Sequence, residues 1–288
     1  MKKYINPLKL GLLIAVLANT YPVNADITAD VNAATASSTD PAQQAAAVAA
    51  AVANAIKNAP SDAVSITSEA VKAAPGFAND IVRSGADSVK SILISVSNKN
   101  TGANLDRQVL NFVNSVVSRT VQGDPANSAA IVTAAITYFP QNAAAIVTTA
   151  VTASPANAAA IVTAAVTASP TNAAAITTAA TTAAPSQARA IARAATSVAP
   201  ATAANDIAAA AIAVVAPSEN TTNQAAQTAG IVIAVATVIA TNECKGSTDA
   251  SCFNKAFEKE KTKIASTTSD PGATNTAIKV IEKANSPT

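Results

Sequence analysis

An isoleucine lies six residues after a proline at seven places in this chain, and this register constrains the fold more than any other feature. The isoleucines that hold the register are Ile66, Ile81, Ile131, Ile146, Ile161, Ile176 and Ile191. Five units of 15 residues follow one another without a break from Pro125 to Ala199. Self-similarity at a fixed period means that each unit is one small element that stacks on its neighbours. The sequence therefore predicts a repeat architecture.

Each unit carries the residue types that begin and end a short α-helix. Proline suits the first turn, where its missing N–H would be unpaired in any case, and the residue before a proline avoids the helical region. Ser154 and Ser169 precede prolines and are followed three residues later by Asn157 and Asn172, which resembles a capping box with asparagine in place of glutamate. Alanine, the strongest helix former, fills the interior. We predict a helix of about 12 residues, roughly 18 Å long, followed by a short turn.

Connections this short favour antiparallel neighbours. The predicted fold class is therefore all-α: tandem 15-residue single-helix repeats stacked as antiparallel helical hairpins, an α-solenoid-like array with irregular helical caps. In the unit that starts at Pro155, the fourth, seventh, eighth and eleventh positions share one face and form the predicted core. These residues are Ala158, Ile161, Val162 and Ala165. One buried isoleucine and one buried valine contribute roughly 4 kcal/mol, whereas ordering each residue costs about 1 kcal/mol or more. A single unit therefore cannot fold alone, and stability comes from stacking.

The N-terminus has the organisation of an export signal. Lys2 and Lys3 precede an apolar stretch from Leu10 to Leu17, and Val23-Asn24-Ala25 forms a small-residue cleavage site. We predict that residues 1–25 are a signal peptide and that the mature chain is exported to the periplasm, the cell surface or the extracellular space. An uncleaved anchor is the alternative, but the apolar stretch is short for a membrane span of about 20 residues.

Composition divides the remaining chain into four segments. Residues 26–40 are a low-complexity Ala/Ser/Thr stretch that we expect to be flexible, and residues 41–124 are expected to form N-terminal helical repeats and a cap. Residues 125–216 form the predicted Ala/Thr-rich array, and residues 217–288 form a C-terminal helical cap with a disulfide loop. In this last segment, the apolar stretch from Ala229 to Thr241 is too short to span a bilayer and predicts a buried core helix. We predict no membrane span in the mature chain.

A charged amphipathic helix is predicted from Ser251 to Ile264. Its apolar residues Phe253, Phe257 and Ile264 are expected to face the array. Its charged residues are expected to face water, and they are Lys255, Glu258, Lys259, Glu260, Lys261 and Lys263. Solenoids need polar terminal caps of this kind, so we interpret the helix as a cap.

The chain has two cysteines, Cys244 and Cys252, which lie eight residues apart. In an exported chain such a pair predicts a local disulfide. Metal binding is the alternative, but two cysteines without any histidine cannot complete a zinc site unless distant carboxylates contribute.

The residue inventory argues against enzymatic chemistry. The absence of histidine removes the usual triads and the commonest general base. The carboxylate pairs Glu258/Glu260 and Asp80/Asp87 lack an evident cause for a raised pKa. Without Lys2, Lys3 and Lys9, the balance of 19 basic to 17 acidic residues becomes 16 to 17, which gives no electrostatic reason to bind nucleic acid. We predict no catalytic residue, no cofactor, no metal and no nucleic-acid partner.

From Pro125 to Ala188, 64 residues pass without one charged side chain, which is unusual for a protein surface. Opposite the predicted core, the ninth and thirteenth positions of four successive units are threonines. We predict that these form a flat, uncharged association face: Thr133, Thr137, Thr148, Thr152, Thr163, Thr167, Thr178 and Thr182.

Three interpretations of this face remain open. The leading hypothesis is a secreted, non-enzymatic structural or interaction protein that self-assembles into a homo-oligomer or surface layer. The second is a binder of ice or glycan, because the composition resembles that of alanine-rich helical antifreeze proteins, although their threonines recur along one uninterrupted helix. The third is that the Ala/Thr face is a passive product of duplication.

Overall fold

The computed structural model describes residues 25–96, 102–215, 221–247, 250–268 and 271–285. These residues form helices, and none of them lies in a strand. The predicted signal peptide lies outside the described residues except for Ala25. The helices are α1 (Ala25–Ala36), α2 (Pro41–Asn58), α3 (Ala63–Ala73), α4 (Ala78–Val96), α5 (Ala103–Gly123), α6 (Ser128–Tyr138), α7 (Ala143–Ala153), α8 (Ala158–Ala168), α9 (Ala173–Ala183), α10 (Ala188–Val198), α11 (Ala204–Val215), α12 (Thr221–Glu243), α13 (Ala250–Ala265) and α14 (Pro271–Asn285). The predicted fold class, an all-α array of tandem single-helix repeats, is confirmed.

The chain divides into two compact units at Gln141 and Asn142, inside the segment predicted as the central array. The first unit holds α1 to α6 and the second holds α7 to α14. Within each unit, a repeat helix packs more extensively on the helix two places along the chain than on the next helix. The repeats therefore form two layers: α7, α9 and α11 lie in one layer of the second unit, and α8, α10 and α12 lie in the other.

The repeat itself begins with a three-residue 3-10 turn that the proline opens. In one unit the turn is Pro155–Asn157, the α-helix follows at once as α8, and Ser169 leaves the helical region with φ −144° and ψ 73°. The Ser169 amide still donates to the Ala165 carbonyl at 2.9 Å, and the Asn172 amide donates to the Ser169 carbonyl at 3.1 Å. One non-helical residue therefore connects consecutive helices, and the predicted turn is this residue together with the 3-10 segment.

The expected capping box is replaced by a bond between two side chains. Asn157 donates its Nδ2–H to Ser154 Oγ at 3.1 Å, and Asn172 donates to Ser169 Oγ at 2.8 Å. Neither serine hydroxyl caps a backbone amide. Only an aspartate does so at this position in the array: Asp124 accepts from the Ala126 amide at 3.2 Å. The proline and the 3-10 turn already fix the backbone at the start of each helix. This explains why the two reciprocal side-chain-to-backbone bonds of a capping box are absent.

The four predicted core positions are buried in every unit of the array. Ile161 and its equivalents Ile146, Ile176 and Ile191 are fully buried. The twelfth position was not predicted but is buried as well, for example as Val166. This wider buried stripe arises because each helix contacts neighbours in its own layer and in the facing layer.

Helix α9 places two threonines at core positions that are valines in α7 and α8. Thr177 and Thr181 are both 0% exposed. The Thr177 hydroxyl donates to the Ala173 carbonyl at 2.8 Å. The Thr181 hydroxyl oxygen has no hydrogen-bond partner. A buried hydroxyl without a partner loses its hydration without compensation.

We expect Thr181→Val to raise the free energy of unfolding by about 1 to 2 kcal/mol, because valine has nearly the same shape and removes the unpaired hydroxyl. Thr177→Val is the matched control in the same helix, and it should change stability less because it also removes a hydrogen bond. Urea unfolding followed by circular dichroism measures both. A Thr181→Val protein less stable than the parent would show that its hydroxyl is satisfied in solution.

One segment differs from the sequence expectation. Residues 26–40, expected to be flexible, are instead largely helical: α1 packs on α2 and α3 and buries Ile27 and Val31. Two apolar side chains one turn apart are enough to dock a short alanine-rich helix.

The first unit also contains a close helix crossing. A Cβ at Gly85 of α4 would lie 2.7 Å from Thr67 Oγ1 of α3, so only glycine fits there without a shift. At the next residue of α3, Thr120 of α5 donates to Ser68 Oγ at 3.0 Å in a buried pair. Small and polar residues therefore bring α3, α4 and α5 together where the isoleucine register is interrupted.

Candidate functional site

The eight candidate threonines lie on the outer sides of four helices, away from the isoleucine core. Thr133 and Thr163 are half-buried, and the other six are exposed. Thr133 and Thr137 belong to α6 in the first unit. The six in the second unit divide between its layers: Thr148, Thr152, Thr178 and Thr182 lie on α7 and α9, and Thr163 and Thr167 lie on α8.

The division between layers corrects one part of the sequence interpretation. Because the core lies between the layers, residues opposite the core on α7 and α9 face away from those on α8. The second unit therefore presents two separate threonine surfaces and no single flat grid. We call the surface of Thr148, Thr152, Thr178 and Thr182 the α7/α9 face.

Most of these hydroxyls already donate a hydrogen bond within their own helix. On the α7/α9 face, Thr148 donates to the Ala144 carbonyl at 3.0 Å, Thr178 to the Ala174 carbonyl at 3.1 Å and Thr182 to the Thr178 carbonyl at 2.8 Å. Thr137, Thr163 and Thr167 make the equivalent bond. These threonines therefore offer a methyl group and a hydrogen-bond acceptor to the outside, and their side chains are held in one rotamer.

Charge distinguishes the two layers. Along the α7, α9 and α11 layer, the described helices carry one charged residue, Asp206. In the other layer α8 is uncharged, but α10 carries Arg189 and Arg193, both exposed. These arginines were not predicted as functional residues, although a comparison of the five units at equal positions reveals them. The α7/α9 face is thus the larger uncharged surface of the second unit.

Of the two carboxylate pairs considered for catalysis, Asp80 and Asp87 lie together on α4. Asp80 and Asp87 line an open groove of about 650 Å³ between α2 and α4, together with Lys57 and Arg83. Asp87 accepts a hydrogen bond from the Tyr138 hydroxyl at 2.7 Å. Burial raises the pKa of Tyr138 far above its usual value, and the bond to Asp87 raises it further. Tyr138 therefore stays protonated and serves as a donor to Asp87.

The charged helix α13 differs from the sequence expectation in which side chains it buries. Lys261 and Glu260, expected to face water, are 9% and 4% exposed, whereas Phe253, expected to face the array, is 37% exposed. Phe253 stacks on Phe257 with ring centroids 5.9 Å apart. Helix α14, which local patterning in α13 cannot reveal, supplies Glu282 as a partner for Lys261 at 2.8 Å.

Lys261 is the most strongly connected charge in the cap. It also bonds to Glu258 at 2.6 Å, and its Nζ lies 5.1 Å from the centroid of the Phe257 ring. Burial lowers the pKa of Lys261, but the bonds to Glu258 and Glu282 outweigh burial and raise the pKa above its usual value. This lysine ties α13 to α14. The stability linked to its raised pKa is fully present below the ordinary lysine pKa and is lost as the pH rises through the raised value.

Cys244 and Cys252 lie at disulfide distance, with Cα atoms 5.9 Å apart. They connect the end of α12 to the start of α13. A cysteine pair at this distance fits an oxidising compartment. In the part of the chain that the structure describes, no group of three or more cysteine, aspartate or glutamate residues is arranged to hold a metal ion.

One described helix segment, Gln224–Glu243 within α12, is long and apolar enough to cross a membrane by length and composition alone. Half of its most apolar window is buried inside the fold. Helix α12 packs against α10, α11, α13 and α14, and Ile231, Val232 and Val235 belong to the core of the second unit. Its apolar side chains thus have protein partners, as predicted for a core helix.

Comparisons with known proteins add no family to these observations: no family model, no curated protein and no solved structure matches the chain. The function is therefore argued from the chain's own residues.

Proposed function

We propose that this protein is an exported, non-enzymatic structural or interaction protein that self-associates through the α7/α9 face. The observation that carries the proposal is a surface of two adjacent helices with no charged side chain. The export signal and the closely placed cysteines support a site of action in the periplasm, at the cell surface or outside the cell. The partner is a second copy of this chain, in a homo-oligomer or a surface layer.

The chemistry of the face suits burial against another protein. Desolvation is expensive for charges and cheap for methyl groups, so an Ala/Thr surface can be covered at little cost. The hydroxyls of Thr148, Thr178 and Thr182 already donate a hydrogen bond inside the helix. Burying them at an interface therefore leaves no hydroxyl donor without a partner. β-branched side chains held by such bonds also lose little rotamer freedom on association.

Charge placement tests the proposal. Thr148→Lys with Thr152→Lys puts two charges on the α7/α9 face, and Thr163→Lys with Thr167→Lys puts the same charges at equivalent positions of α8 on the opposite layer. We expect the parent protein to form oligomers. The α7 variant should associate at least tenfold more weakly, which corresponds to about 1.4 kcal/mol of association free energy. The α8 variant should associate as the parent does. Size-exclusion chromatography with light scattering over a concentration series measures this.

Circular dichroism should show unchanged helicity in both variants, because the changed residues point away from the core and lysine is a good helix former. A parent protein that is monomeric at every concentration would contradict the proposal. Equal loss of association in both variants would show that net charge, and not the α7/α9 face, controls assembly.

Binding of ice or glycan through the threonines is the alternative proposal. The same two variants test it, since activity confined to one face must disappear in only one of them. Ice shaping or glycan-array binding by the parent that the α7 variant loses, without any change in oligomer mass, would favour this alternative over self-association.

A further inference from the structure

Two arginines end the uncharged stretch of the array, and both belong to its fifth unit. In the four preceding units the fifth position is alanine and the ninth is threonine, as in Ala159 and Thr163. In the fifth unit both positions are arginine, Arg189 and Arg193. The five units can be aligned with one another, and at these two positions only the fifth unit differs from the others. Both of its changes are to arginine, and they lie one helical turn apart.

Local energetics disfavour this pair. Like charges four residues apart on a helix repel each other. Arg189 is also the second residue of α10, where the helix dipole disfavours a positive charge. Among the described residues, none forms an ion pair with either guanidinium. Within the described ranges, the two charges therefore have no ion-pair compensation.

The two arginines lie at an open groove whose lining combines alanine methyl groups with a few polar side chains. Arg189 and Arg193 line an open groove of about 650 Å³ between α8 and α10, which also includes Ser186, Gln187 and Ser197. On the α8 side the groove is lined by Ala159, whose methyl group is small and leaves room for a ligand. The stem of Arg189 also lies beside α12: a Cβ at the buried Gly230 would be in ordinary van der Waals contact with Arg189 Cδ, at 3.4 Å.

We propose that this groove binds an oxyanion, a sulfate, phosphate or carboxylate group, between the guanidinium groups of Arg189 and Arg193. Guanidinium presents a planar fork of donors that matches two oxygens of such a group, and a charge-assisted bond of this kind is stronger than a neutral one. An anion between the arginines also removes their mutual repulsion. Ser186 lies at the edge of the groove and can offer a hydroxyl donor. The ligand is either a free anion or an anionic group carried on an oligosaccharide.

The test is a titration of the isotope-labelled mature protein with sodium sulfate at constant ionic strength, followed by NMR. We expect saturable shifts of the Arg189 and Arg193 Nε–H signals and of the Ser197 amide. Arg189→Gln with Arg193→Gln should weaken binding at least tenfold while circular dichroism stays unchanged, because both side chains are exposed. Shifts that rise linearly without saturation would overturn the proposal.

A matched control removes the same charge elsewhere. Lys57→Gln with Arg83→Gln takes two positive charges from the groove between α2 and α4, and sulfate binding should stay within twofold of the parent. An equal loss in both double variants would overturn the site, because it would show attraction to net charge alone. A sulfated tetrasaccharide identifies the source of the anion: binding at least tenfold tighter than sulfate indicates a carbohydrate ligand, and equal binding indicates a free anion.

Discussion

Replacing Ile161 by alanine should lower the free energy of unfolding by about 2 to 5 kcal/mol. Ile161 is 0% exposed and belongs to α8, which packs on α7 and α9 in the facing layer and on α10 in its own. The substitution removes apolar contact area and leaves a cavity, and a close-packed array of short helices can refill such a cavity only in part. Because each repeat depends on its neighbours, the loss should spread beyond one helix.

Thr163→Ala is the matched control, two residues away in the same helix. Thr163 is half-buried and bonds to its own helix through the Ala159 carbonyl. Alanine has the better helix propensity, so the change should stay within about 0.5 kcal/mol of neutral. Thermal and urea unfolding by circular dichroism measure both proteins. Equal losses would mean that Ile161 does not lie in a continuous core.

The array could be predicted from the sequence because its determinants are local. Proline position, alanine content and the isoleucine spacing fix the helix limits and the core face, and the buried residues Ile161, Val162 and Ala165 follow directly from them. Sequence reasoning missed the second buried edge of the stripe at Val166 because that edge depends on the neighbour two helices away.

The arrangement of the candidate surface could not be predicted from one unit. Thr148 and Thr163 occupy equivalent positions, and a single repeat gives no reason to place them on different sides. Their separation arises from the alternation of helices between layers, which is a property of the stack. The same reason explains the two arginines: their significance appears only when equal positions of five units are compared and when the groove between α8 and α10 is known.

The cap shows the limit of amphipathic patterning. Helix α13 alternates charged and apolar residues, and the pattern alone places Lys261 in water. The fold instead surrounds Lys261 with Glu258, Glu282 and the Phe257 ring. Glu282 lies 21 residues further along the chain, so its ion pair with Lys261 cannot be recognised from the sequence of α13. Phe253 is exposed because α13 contacts its main partner, α12, through residues such as Ile264 and Ala265.

Reduction of the Cys244–Cys252 pair should lower the stability of the second unit by about 2 to 3 kcal/mol, through the loop-closure entropy that the crosslink removes from the unfolded chain. For a unit of this size, the melting temperature should fall by roughly 5 to 10 °C. Helicity should stay nearly unchanged below the transition, because Ile264 and Ala265 of α13 still pack in the same core as Ile231 and Val232 of α12.

The double variant Cys244→Ser with Cys252→Ser separates the crosslink from other effects of a reducing agent. Its melting temperature should equal that of the reduced parent and should not respond to reductant, whereas the oxidised parent melts higher. Alkylation followed by mass spectrometry counts the free thiols in the native protein. Two free thiols would contradict the crosslink, and a large loss of helical signal on reduction would show that the pair holds together more of the fold than the junction of α12 and α13.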